Sequence, residues 1–165
     1  MSAVIDSHHD DHHHGPAKGF SRWLYTTNHK DIGSMYLWFS LVMLFIGGAM
    51  AMVIRAELFE PGSQIVSPEF YNQMVTNHGL IMVFGVIMPA FVGFANWMIP
   101  MQIGAPDMAL PRLNNLSFWI LPVAFGILLS TFFMEGGAPN FGWTFYAPLS
   151  TEYAPPTVTF FIFSV

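Results

Sequence analysis

Two long stretches of this chain carry no charged side chain. None lies between Asp31 and Arg55, and none between Glu69 and Asp107. A helix of about 20 apolar residues, rising about 1.5 Å per residue, spans a hydrocarbon core of about 30 Å. Both stretches are long enough, and a third apolar run follows from about Leu116 to Met134. Only 9% of the 165 residues are charged and 53% are hydrophobic, against roughly a quarter charged in soluble domains. The expected fold class is therefore an all-α membrane protein, a bundle of transmembrane helices with three complete and a fourth started. The expected helices lie at about 32–55, 72–101 and 115–135, with the fourth from 157 onward. Two turns cannot cross a bilayer, so that last segment is expected to continue in a longer protein.

Residues 1–20 read differently. His8, His9, His12, His13 and His14 stand among Asp6, Asp10 and Asp11 without apolar periodicity. This His-rich polar tail is expected to be disordered, either as a solvated or tag-like segment or as a weak metal binder. Residues 21–165 form the membrane domain. No cysteine is present, so disulfides, thiolate catalysis and cysteine-ligated metals are excluded. The Lys/Arg patches of a nucleic-acid binder are absent, so no nucleic-acid partner is expected. The first apolar run begins late and is too long for a signal peptide.

Loop charges predict orientation. Lys18, Arg22 and Lys30 precede the first helix, which predicts a cytoplasmic N-terminus. The loops 56–71 and 135–156 have no Lys or Arg and are expected outside, whereas 101–115 carries Arg112 and returns inside. Asn28, with Asp31 three residues on, resembles a helix N-cap. Pro68 and Pro111 can open the second and third helices, and Asn114 fits the start of the third. Pro89 and Pro122 fall inside apolar spans, where neighbouring helices can satisfy the freed carbonyls. Gly47, Gly48, Gly79, Gly85 and Gly93 permit close approach of a helix or of a flat cofactor.

Polar residues within apolar runs are candidates for function. His78 stands near the outer end of the second helix, and an ionisable group in a membrane span marks a functional site by default. Neutral imidazole suits an axial haem ligand, although a lone His near an interface can equally bond to a neighbouring helix. Arg55 could snorkel to headgroups or reach a polar cofactor substituent near His78, and Tyr71, near the start of the second helix, is expected to contribute to the same cofactor site. Glu57, Glu60, Gly62 and Gln64 share a short outer loop, which fits either a hard cation such as calcium or a solvated acidic loop. Asp107 sits at the inner mouth, with Asn96 and Asn114 nearby. These could collect protons and order a water chain, or serve as a turn residue and a cap.

Joined together, the motifs resemble a known family. Trp23-Leu24-Tyr25-Thr26-Thr27-Asn28-His29-Lys30-Asp31-Ile32-Gly33 resembles the N-terminal signature of cytochrome c oxidase subunit I, of the haem–copper oxidases. So do Ile54-Arg55-Ala56-Glu57-Leu58, Thr76-Asn77-His78-Gly79, the run from Ile103-Gly104-Ala105-Pro106-Asp107 through Pro111-Arg112-Leu113-Asn114-Asn115 to Trp119, and Gly142-Trp143-Thr144 with Tyr146. The resemblance covers about residues 19–165, about a third of such a subunit.

What the resemblance implies is specific. His78 matches an axial ligand of the low-spin haem, typically haem A, and Arg55 the arginine that bonds its formyl group. Trp143 and Tyr146 match an element near the haem propionates. Glu57, Gly62 and Gln64 match an outer cation site, with Glu60 departing from the residues usual there. Asp107, Asn96 and Asn114 match the start of a proton path. Electrons would come from cytochrome c and dioxygen would become water, coupled to proton translocation. Subunits of types II and III would be partners, in a bacterial plasma membrane. The high-spin haem and copper ligands are expected outside these residues, so this length alone should not reduce oxygen. A quinol-oxidising member of the same superfamily and a non-catalytic membrane scaffold are the alternatives.

Overall fold

The computed structural model describes residues 19–164. Most of the His-rich tail lies outside the described residues. A short helix α1 (Phe20–Tyr25) leads into α2 (His29–Glu57). A long second rod follows in three parts: α3 (Pro68–Leu80), a π-helical segment (Ile81–Ile87) and α4 (Met88–Ile103). Then come α5 (Pro111–Ser130), a 3-10 turn (Thr131–Phe133) and α6 (Val158–Ser164). No strand occurs among the described residues.

Among the described residues, three helices are long and apolar enough to cross a membrane: His29–Glu57, Pro68–Ile103 and Pro111–Phe133. Only 17%, 28% and 22% of their most apolar windows are buried. Phe45, Phe91 and Val123 therefore point outward at 71%, 70% and 63% exposure, which water would not tolerate on this scale and lipid does. The protein is an integral membrane protein.

Caps explain the helix ends. Asn28 accepts a hydrogen bond from the Lys30 backbone N–H at 2.9 Å, so α2 starts at His29 rather than about residue 32. Asp31 is not part of that cap. Its carboxylate takes a bidentate bond from Arg22 (2.8 and 3.0 Å to Nη2) and a bond from Thr26. Arg22 is exposed, and the Asp31 carboxylate raises its pKa by hydrogen bond first and by charge second. Ser67 accepts from the Phe70 N–H, and Pro68 takes the first helical turn. The second rod thus begins four residues before the expected 72. Pro111 opens α5 in the same way, again four residues early. Its α-helical part closes at Ser130 and tightens into the 3-10 turn, and extended backbone at Met134 (φ −94, ψ 158) stops it just short of the expected 135.

The second rod is not a regular α-helix. Pro89 has no N–H, and its ring would clash with the carbonyl of Gly85. The chain answers by widening, and the Met88 N–H reaches back five residues to the Val83 carbonyl. Ser40 of α2 braces this wide turn, donating to the Val86 carbonyl at 2.9 Å. The rise from His78 to Asn96 is therefore not that of one uninterrupted α-helix.

Packing of α2 on the second rod depends on small residues. A Cβ at Gly93 would come within 3.0 Å of the Gly33 carbonyl, and one at Gly33 within 2.9 Å of the Gly93 carbonyl. These backbones are in contact, as small-residue interfaces in membranes allow. Further along, Phe39 meets Phe118 and Phe125 edge to face. Met43, Met50, Leu80, Ile81, Phe125 and Leu128 continue the core toward Phe161 of α6.

Candidate functional site

His78 lies ten residues into α3, half-buried against α2. Its Nδ1 is 2.9 Å from the Gly47 carbonyl oxygen. A carbonyl can only accept, so Nδ1 carries the proton and Nε2 keeps its lone pair. An imidazole fixed in this way has one nitrogen oriented by backbone and the other available to a metal, the arrangement usual for histidine ligands. Gly47 can bring its carbonyl there because it has no side chain. A Cβ would press on Met82 Sδ at 2.8 Å.

The surroundings are apolar and aromatic. The segment 134–157 folds over this end of α3, and Trp143 stands beside Gly79, where a Cβ would be 3.7 Å from its Cδ1. Beneath it Phe145 stacks on Phe161 at 4.5 Å and meets Phe141 edge to face at 4.8 Å. Trp143 and Tyr146 themselves are exposed, at 53% and 76%, with faces available for other contacts. Arg55 is exposed and makes no hydrogen bond or ion pair among the described residues. It follows Gly47 by eight residues on the same broad face of α2. The structure thus sets His78 against Gly47 and Trp143 against the neighbouring Gly79, while the side chains of Arg55 and Tyr146 are exposed.

Tyr71 is placed elsewhere. It borders a cleft of about 500 Å³ with Glu57, Glu60, Gly62 and Asn72. Glu57 is already engaged in the wall of this cleft. Its Oε1 accepts from the Gln64 N–H at 2.9 Å, and its Oε2 from the Ile65 and Val66 N–H groups at 2.9 and 3.0 Å. The Gln64 side chain donates to the Pro61 carbonyl. The carboxylate therefore folds the loop 58–67, and a cation there would have to share it. Among the described residues no group of three or more His, Cys, Asp or Glu converges to hold a metal.

At the opposite end of the rod, Asn96 and Asn114 meet. Asn114 Nδ2 donates to Asn96 Oδ1 at 2.6 Å, and Asn96 Nδ2 donates to the Val92 carbonyl at 2.9 Å. Asn114 is consequently not a cap, since α5 starts after Leu110 without side-chain capping. Ser117 donates its single proton to the Asn114 carbonyl at 2.7 Å, so Tyr36 must donate to Ser117, at 2.8 Å. Asp107 does not join this network. It is exposed, and its Oδ1 accepts from the N–H of Met108 in a tight turn.

Three contributors escaped the sequence reading: His29, Thr76 and Asn77. His29 is buried, and its Nδ1 donates to the Asn96 carbonyl at 2.8 Å. Its place as the first residue after the Asn28 cap was the available signal. Asn77 and Thr76, on the inner face of α3, hold the loop over His78, and their spacing with Gln73 could have shown a polar stripe.

The fold is a membrane bundle with a backbone-oriented histidine in one span and a buried amide pair at the opposite end. Comparison makes the family definite. A family model described as cytochrome c and quinol oxidase polypeptide I matches residues 31–165, and the chain belongs to that family. It is 48% identical over 146 residues to a cytochrome c oxidase subunit 1 of Corynebacterium diphtheriae, covering 87% of this chain and 26% of that protein. A probable cytochrome c oxidase subunit 1-alpha of Streptomyces coelicolor is 47% identical over 143 residues, 87% of this chain and 25% of the relative. A heme-copper oxidase subunit I+III of Aeropyrum pernix is 46% identical over 137 residues, 83% and 17% respectively. The chain spans about a quarter of the length of the subunit 1 relatives it matches.

Proposed function

We propose that this chain is the leading membrane part of subunit I of a terminal respiratory oxidase, which passes electrons from cytochrome c to dioxygen and translocates protons. The observation that carries the reading is the His78–Gly47 hydrogen bond, which leaves Nε2 free to ligate a low-spin haem iron, of haem A type. A haem held there supplies a reversible one-electron carrier. The donor set fits it: an imidazole whose Nδ1 is held by the Gly47 carbonyl, with small Gly79 next in the chain and Trp143 packed against that glycine.

The chain's own residues then have distinct tasks. Gly47 orients the His78 ring. Arg55, which makes no hydrogen bond or ion pair among the described residues, would bond a formyl oxygen of a haem at His78, and Trp143 and Tyr146 would contribute to its propionate side. Tyr71 closes the wall between this region and the outer loop. A calcium ion on Glu57, Gly62 and Gln64 would take the carboxylate lone pair that the loop amides leave over. Asp107 collects protons at the opposite face and the Asn96–Asn114 pair passes them inward along ordered water.

The N-terminus lies on the cytoplasmic side of a bacterial plasma membrane, with residues 21–165 as one membrane domain. Subunits of types II and III complete the assembly. The copper and high-spin haem ligands lie outside these residues, so the fragment alone should not consume oxygen. The test uses membranes carrying the intact oxidase with a cytochrome c donor and, separately, a quinol donor. Oxygen uptake driven by reduced cytochrome c supports the reading, whereas uptake with quinol alone assigns the protein to the quinol-oxidising branch.

A further inference from the structure

The inner face of α3 carries three buried polar side chains, Gln73, Thr76 and Asn77. At i, i+3 and i+4 they form one stripe. In a helix of membrane depth such a stripe needs partners, and it finds them on the segment 134–157. Asn77 Nδ2 donates to the Pro139 carbonyl at 3.2 Å and to the Gln73 carbonyl at 2.8 Å. Thr76 Oγ1 accepts from the Gly142 N–H at 3.0 Å while donating to the Asn72 carbonyl at 2.8 Å. Gln73 runs so close under Gly137 that a Cβ there would strike its Nε2. Gly137 also adopts left-handed backbone, φ 69, that favours glycine.

Asn77 is the informative member. It is fully buried at 0% exposure, and its Oδ1 has no hydrogen-bond partner. The amide cannot be flipped to relieve this, because both groups facing Nδ2 are carbonyls that only accept. Leaving a buried acceptor unpaired is unfavourable, and an apolar side chain of similar shape would avoid it. Packing alone therefore does not account for an asparagine here, whereas the bond across to Pro139 does.

The consequence reaches the site next door. Pro139 and Gly142, the two tethered residues, bracket Asn140 and Phe141, and Gly142 immediately precedes Trp143, the ring that sits against Gly79. We propose that Asn77 is a positioning residue that, with Thr76, ties the segment 139–142 to α3 and so sets Trp143 beside the His78 site. This rests on the reading of His78 as a haem ligand.

The test uses the purified intact oxidase with Asn77→Leu and, separately, Thr76→Val. Two properties are read: hydrogen exchange of the backbone amides of residues 138–146, and the visible band and midpoint potential of the low-spin haem. Each variant is expected to speed exchange about fivefold, the factor for losing one ordinary hydrogen bond, and to shift the band and potential with haem content retained. Thr76→Ser, which keeps the hydroxyl, should restore both properties. If Asn77→Leu does not accumulate, the nearly isosteric Thr76→Val decides by itself. Unchanged exchange, or faster exchange with an unmoved band and potential, overturns the proposal. His78→Ala separates the two failures. If it keeps the low-spin band, the haem reading is wrong. If it loses the band while the tether variants leave theirs unmoved, only the positioning role falls.

Discussion

At one end of the bundle, buried side chains bond to backbone; at the other, they bond to backbone and also to one another. His78 reaches the Gly47 carbonyl and Asn77 the Pro139 carbonyl. Asn114 reaches the Asn96 side chain, and Tyr36 reaches Ser117. A backbone acceptor cannot rotate, so it fixes a tautomer and a ring orientation, as a metal ligand requires. Amides and hydroxyls can exchange partners by turning a single torsion, as a path for protons and water requires. The contrast teaches how one apolar rod can hold a rigid site and an adaptable one about five turns apart.

The strongest way to break the comparison is to separate the helices on which both ends depend. Gly93→Val forces a side chain into the Gly33 backbone contact. It should destabilise the bundle by about 1–3 kcal/mol or prevent accumulation, lowering haem content and turnover together. Gly48→Ala is the control, with nothing within 4 Å of its Cβ, and should stay within about 0.5 kcal/mol of the parent. Thermal denaturation in detergent measures both. Equal effects would show that the close approach at Gly93 has no structural weight.

Glu57→Gln acts on the rigid end alone. It puts an N–H₂ where one of the carboxylate oxygens meets the loop amides. Protease cleavage within the loop 58–67 should become several-fold faster while the low-spin band stays in place. A smaller effect belongs to the adaptable end. Asn114→Leu removes the bond to Asn96 and should cost about 0.6–1.7 kcal/mol of stability. It should also slow proton uptake without moving the visible spectrum. A spectral shift there would mean that the two ends are coupled. The smallest effect is expected for Arg22→Ala, which breaks an exposed ion pair with Asp31. Exposed pairs of this kind contribute little, so the thermal midpoint should hold at moderate salt.

Much of the scaffold was legible because it depends on local rules. Uncharged runs of lipid length gave three spans, and Asn28, Pro68 and Pro111 marked helix starts. Asn96 and Asn114 could be paired because the resemblance placed them at one inner site. Asp31 was misread because its partner Arg22 lies across a turn, and an N-cap box and an ion pair look alike in sequence. The π segment depended on how the chain answers Pro89, which periodicity does not show. The loop over His78 was illegible for a different reason. Its contacts with Thr76 and Asn77 join residues more than sixty positions apart, and only the folded bundle brings them together.

The central claim is that His78, oriented by Gly47, holds a haem iron through Nε2. It is tested most directly by reduced-minus-oxidised spectra of the purified oxidase bearing His78→Ala, with and without added imidazole. The expected result is loss of the low-spin band and its partial return when imidazole fills the vacated position. A His78→Ala enzyme with an unchanged low-spin band would contradict the assignment.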